Sequence, residues 1–74
     1  MIQQIAQGIT ISLNGEPRQL AAGATIAELL AELGLTAKHV AVEANLDLIP
    51  RSRHAERHLA DGDRLEIVTL VGGG

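Results

Sequence analysis

From Ile9 onward apolar and polar residues alternate strictly. Ile9, Ile11 and Leu13 fall on one side and Thr10 and Ser12 on the other, which predicts a half-buried strand. Asn14-Gly15 comes next, a pair suited to the positive φ angles of a type I′ turn, so the chain should reverse there into a hairpin. Residues Glu16 to Leu20 make the expected return strand. Pro17 cannot donate to a ladder, which places it at the start of that strand or on a sheet edge. Thr25 followed by Glu28 has the spacing of a capping box, and Ile26, Leu29, Leu30 and Leu33 recur at i, i+3, i+4 and i+7. A helix is predicted there, with Glu28 and Glu32 toward water and Gly34 ending it in a left-handed conformation. Beyond it, Val40-Ala41-Val42 opens a short alternating segment ending at Asn45, and Leu48-Ile49 makes another before Pro50. Arg51 to His58 is polar and aperiodic. Asp61-Gly62-Asp63 then reads as a turn into a last strand, Arg64 to Val71, rich in β-branched residues.

The order strand, strand, helix, strand, strand, strand predicts a two-layer α+β domain, with one helix covering one face of a mixed sheet of four to five strands. That arrangement is the β-grasp, or ubiquitin-like, fold. Its first and last strands should pair in parallel at the centre, with the chain end projecting from one edge of the sheet. At 74 residues there is room for one domain only. Residues 1–8 read as an extension or frayed strand start, 9–71 as the domain and 72–74 as a flexible tail.

Composition narrows the function. The chain is 46% hydrophobic yet has no Phe, Trp or Tyr, so Leu, Ile, Val and Ala must fill the core. Without aromatic stacking platforms, and with a net charge of -3, nucleic acid is not an expected partner. No apolar run approaches the roughly 20 residues that span a bilayer, and Met1 to Gly8 lacks a basic segment followed by an apolar one, so the expectation is a cytosolic protein without membrane contact. The absence of cysteine excludes thiolate metal sites and cysteine nucleophiles.

Candidate chemistry concentrates at the end of the chain. Gly72-Gly73-Gly74 follows Val71 directly. Residues without Cβ suit a backbone that must thread a narrow cleft, so the three glycines fit either a frayed end or a carboxylate presented to a partner enzyme. Arg51, Arg53, His54, Arg57 and His58 gather around Glu56 and fit either a solvated loop or a site for an acidic partner. His54 and His58 stand four apart, a spacing that puts two imidazoles on one helical face, but no third ligand accompanies them and no metal site is assigned. His39, beside Lys38, reads as a surface residue. No Ser-His-Asp set and no glycine-rich phosphate loop are present, and no acid, base and nucleophile converge, so the chain is not expected to be an enzyme.

Several landmarks together carry a resemblance: Leu13-Asn14-Gly15, the helix start from Thr25 with its Glu-Leu-Leu, Val40-Ala41-Val42-Glu43-Ala44-Asn45, Ile49-Pro50-Arg51, Asp61-Gly62-Asp63, Glu66-Ile67 and the terminal Gly73-Gly74. From about Ile9 to Gly74 the chain resembles the ThiS family, the sulfur carrier proteins of thiamine biosynthesis. Two departures stand out. Leu46 occupies a position where the family usually has a short polar or glycine turn, and Met1 to Gly8 precedes the family's usual start.

The resemblance implies that a ThiF-type adenylyltransferase uses ATP and Mg²⁺ to activate the Gly74 carboxylate, with no cofactor bound by the carrier itself. A protein persulfide then supplies sulfur, and the resulting thiocarboxylate donates it to a ThiG-type thiazole synthase. Gly74 would bear the reactive group, with Gly72 and Gly73 giving it access. Arg64, Val68, Leu70 and Val71 are the candidate partner contacts beside the tail. A carrier resembling the small subunit of molybdopterin synthase, a non-catalytic ubiquitin-like binding module and a protein modifier are the competing readings.

Overall fold

The computed structural model of the chain describes residues 8–70. Strand β1 (Gly8–Leu13) and strand β2 (Glu16–Ala21) form an antiparallel hairpin, followed by helix α1 (Ile26–Leu33), β3 (Val40–Ala44), β4 (Asp47–Ile49) and β5 (Arg64–Thr69). The five strands make one sheet in the order β2-β1-β5-β3-β4. As expected, β1 and β5 are parallel neighbours at its centre, pairing Ser12 with Arg64 and Leu13 with Leu65. β2 is an outer strand, where Pro17 withholds no bond from a second neighbour.

The strand boundaries differ from the expected ones by a residue or two: β2 runs on to Ala21, β3 stops at Ala44 and β4 begins at Asp47. Gly8 belongs to β1 rather than to the preceding extension. β5 ends at Thr69, although the Leu70 amide continues its ladder by donating to the His39 carbonyl at 2.7 Å; Val71 lies outside the described residues. β5 is the third strand of five, and the expected projection of the chain end from the sheet lies outside the described residues.

One face of the sheet is dry. Ile11 from β1, Leu20 from β2, Val40, Val42 and Ala44 from β3, and Leu65 and Ile67 from β5 meet Ile26, Leu29 and Leu30 of α1. Each of the three helix residues is almost fully buried and contributes about 1.5–3 kcal/mol by leaving water. Leu59 completes this core from the loop before β5, a position with no periodic neighbours to mark it in the sequence.

The helix begins where it does because every early amide finds an acceptor. Thr25 Oγ1 accepts from the Glu28 amide at 3.1 Å and Glu28 Oε1 from the Thr25 amide at 2.9 Å, the expected capping box. The Ile26 and Ala27 amides donate to the carbonyls of Arg57 and His54, at 3.1 and 2.9 Å. The segment after Pro50 is therefore not an irregular solvated loop. It opens with a 3-10 turn (Arg51–Arg53) and docks on the helix N-terminus, supplying two of the acceptors a helix start needs. Gly34 closes the helix at φ 74, with the Leu35 amide returning to Leu30 at 2.9 Å.

Two tight turns use the same geometry with different chemistry. Asn14-Gly15 joins β1 to β2 with φ values of 51 and 86, as the dipeptide predicts. Asn45-Leu46 joins β3 to β4 with φ values of 53 and 75, so an 83% exposed leucine holds a left-handed conformation with no burial in return. Leu46→Gly should stabilise the domain by about 1 kcal/mol, the left-handed penalty less the extra chain entropy of glycine. Chemical denaturation checks this, and an unchanged midpoint would mean the turn has relaxed to avoid the strain.

Candidate functional site

The end of β5 and the sheet face opposite α1 form the candidate site. Alternation along β5 sends Leu65 and Ile67 into the core and leaves Arg64, Glu66 and Val68 on the open face, with Leu70 exposed just beyond. The register thus brings three of the four predicted partner contacts, Arg64, Val68 and Leu70, to one exposed side. The fourth, Val71, and Gly72, Gly73 and Gly74 lie outside the described residues. Val68 is 58% exposed and stands opposite Ala41 of β3, while Glu66 stands opposite Glu43, which is flanked in turn by Leu48 of β4. Glu43 and Glu66 are not among the expected partner contacts, since their juxtaposition follows only from the β3–β5 register.

Four polar side chains hold β5 and the turn before it in place. Asn14 Oδ1 accepts from the Ile67 amide at 2.7 Å, and its Nδ2 donates to the Ile67 carbonyl at 3.1 Å, while its own amide donates to the Leu65 carbonyl at 2.8 Å. The side chain stands in for the next residue of β1, which the turn has taken away. Asn45 does similar work on the other flank: its Oδ1 accepts from the Arg64 amide at 2.9 Å and its Nδ2 donates to Asp63 Oδ1 at 3.0 Å. In the Asp61-Gly62-Asp63 turn, Asp61 Oδ1 accepts from the Thr10 amide at 2.8 Å and Asp63 Oδ2 from the Ala60 amide at 2.8 Å. These residues were legible as turn formers, but their part in aligning the strand that leads to the tail was not.

The basic cluster does not stand as a set of free cations. His54 is only 3% exposed, its Nε2 lies 3.0 Å from the Ile49 carbonyl, and its Nδ1 is buried without a partner among the described residues. His58 Nδ1 meets the Gly23 carbonyl at 2.9 Å. The two imidazoles are thus tied to separate backbone groups, and no group of three His, Cys, Asp or Glu capable of holding a metal occurs among the described residues. Arg53 pairs with Glu56 at 3.0 Å, and Arg57 lies 3.7 Å from Asp63 and donates to the His58 carbonyl. His39 is exposed, as expected, and serves the site only through the carbonyl that receives the Leu70 amide.

The architecture agrees with the resemblance, and comparison with known proteins decides the family. The family model described as "ThiS family" matches residues 11–74. The chain belongs to the ThiS family. The sulfur carrier protein ThiS of Thermus thermophilus is 45% identical to this chain over 62 residues, covering 84% of it and 95% of the relative. The crystal structure of the thiamine biosynthesis protein ThiS from Geobacter metallireducens superposes with a TM-score of 0.77 at 30% identity, covering 89% of this chain and 100% of that one. A protein named thiazole synthase from Paramagnetospirillum magneticum is 48% identical over 62 residues, 84% of this chain, but the chain spans only 19% of that relative's length. The β-grasp fold and a sulfur carrier role in thiamine biosynthesis, both expected from the motifs, are therefore supported together. Among the described residues no helix is long and apolar enough to cross a membrane.

Proposed function

We propose that this protein carries sulfur on the carboxyl carbon of Gly74 and acts as a co-substrate of partner enzymes, in the cytosol. A carboxylate oxygen of Gly74 attacks the α-phosphate of ATP held with Mg²⁺ by a ThiF-type adenylyltransferase, and pyrophosphate leaves. The terminal sulfur of a protein persulfide then attacks the acyl carbon and displaces AMP. Cleavage of the sulfur–sulfur bond by a thiol leaves the thiocarboxylate, which passes its sulfur to a thiazole synthase.

The observation that carries this reading is the family match, which runs through the glycine tail to residue 74. The fold supports it, since β5, the strand that precedes the tail in the chain, lies at the centre of the sheet. The stretch of similar sequence within a thiazole synthase supports that enzyme as the sulfur acceptor. Val68 and Leu70 offer apolar contact and Arg64 a polar one beside the tail, with Val71 the fourth candidate. The chain should support ATP–pyrophosphate exchange by a ThiF-type enzyme in a carrier-dependent manner, and an exchange rate unaffected by added carrier would sink the reading.

A further inference from the structure

β5 outruns its neighbour. Along this strand the backbone groups of successive residues point alternately to its two flanks. The Leu70 amide donates to His39 and the Arg64 carbonyl accepts from Asn45, so the even-numbered residues bond toward β3. The odd-numbered ones face β1: the Leu65 carbonyl accepts from the Asn14 amide, and both Ile67 groups are met by the Asn14 side chain. Thr69 is next in this series. By then β1 has turned away at Asn14-Gly15, its ladder with β5 ending at Leu13 and Leu65, and Thr69 faces Val40 of β3 at a position between the bonded ones, so its amide and carbonyl have no partner among the described residues.

A second copy of the chain is a poor occupant of this edge, because one free residue per copy gives two hydrogen bonds and a contact far below the roughly 1,000 Å² of a stable interface. The tail supplies the remaining constraint. From Thr69 to Gly74 the chain extends at most about 18 Å, so a cleft that closes around Gly74 has its rim alongside Thr69.

We infer that the Thr69 edge of β5 is a strand-addition site, where an extended segment at the rim of the adenylating partner's cleft pairs with the Thr69 backbone and continues the sheet across the interface. The inference rests on the proposed activation of Gly74 and adds how the body of the carrier aligns the tail. Main-chain pairing would fix the direction in which the tail enters, which side-chain contacts on the open face do not.

Thr69→Pro removes the amide and places a ring where the partner strand would dock, yet breaks no hydrogen bond found among the described residues. The variant should melt near the parent, while kcat/KM for the carrier in adenylation falls about 5-fold or more, the factor that follows from one lost bond of ordinary strength. A folded Thr69→Pro chain adenylated as well as the parent overturns the inference. Should that variant fail to fold, an amide-to-ester replacement at the same position carries the decision by the same kinetics. Hydrogen exchange gives an independent reading: the Thr69 amide should exchange fast in the free carrier while Leu70 is protected, and become protected when the adenylyltransferase is added. Protection that instead appears with rising carrier concentration alone assigns the edge to self-association and also overturns the inference. If the parent chain itself is not adenylated, it is the proposed function that fails.

Discussion

Removing Gly74 is expected to lower the rate of carrier-dependent adenylation at least about 100-fold while leaving the fold intact. Truncation shortens the chain by one residue, about 3.5 Å, so the new carboxylate on Gly73 stops short of the phosphorus it must attack. Misplacement of a reacting group by even 1 Å can cost on the order of 100-fold, and no side chain is present to compensate. The melting temperature should be unchanged within about 2 °C, since a glycine contributes no side chain to a core. The experiment follows AMP attachment and thermal unfolding on the same two proteins. A truncated chain that accepts AMP at the parent rate would show that the reactive position is set by something other than tail length.

Asn14→Ala has the largest expected effect on stability. It strips both partners from the Ile67 backbone, at a residue only 9% exposed, and each buried group left unpaired costs about 1–3 kcal/mol. It also places alanine at φ 51, a conformation asparagine tolerates better. The expected loss is about 2–4 kcal/mol, against a total of roughly 4–11 kcal/mol for a chain of this size. For such a small domain that corresponds to about 4–8 °C in Tm for each kcal/mol. A loss below about 0.5 kcal/mol would mean that water replaces the side chain at Ile67 and that β5 needs no such brace. Because Asn14 fixes the last residues before the free edge at Thr69, weakened adenylation should accompany the loss of stability.

These expectations draw unevenly on what the sequence made legible. Alternation in Ile9 to Leu13, the Thr25–Glu28 box and the Asn14-Gly15 turn are local signals, and each led to the right element within a residue or two. The parallel pairing of β1 with β5 followed from element order. What the sequence did not disclose depends on contacts between distant segments. Arg57 and His54 lend their carbonyls to a helix start nearly thirty positions earlier, so a stretch with no periodicity turns out to be structured. His54 looked like one more exposed basic residue because its neighbours in sequence are polar, yet it is buried with its ring nitrogen against the Ile49 carbonyl. The facing of Arg64, Val68 and Leu70 depended on a register that a one-residue slip would have inverted, and the ladder with β3 settles it. The tail was the reverse case: Gly72-Gly73-Gly74 was plain in the sequence, and it lies outside the described residues.

The most direct test of sulfur carriage is the intact mass of the chain. Incubated with a ThiF-type adenylyltransferase, ATP, Mg²⁺ and a persulfide donor, the protein should gain about 16 Da as sulfur replaces one carboxyl oxygen, and the gain should localise to Gly74 on fragmentation. A mass that stays unchanged while the enzyme activates a known carrier under the same conditions would contradict the account.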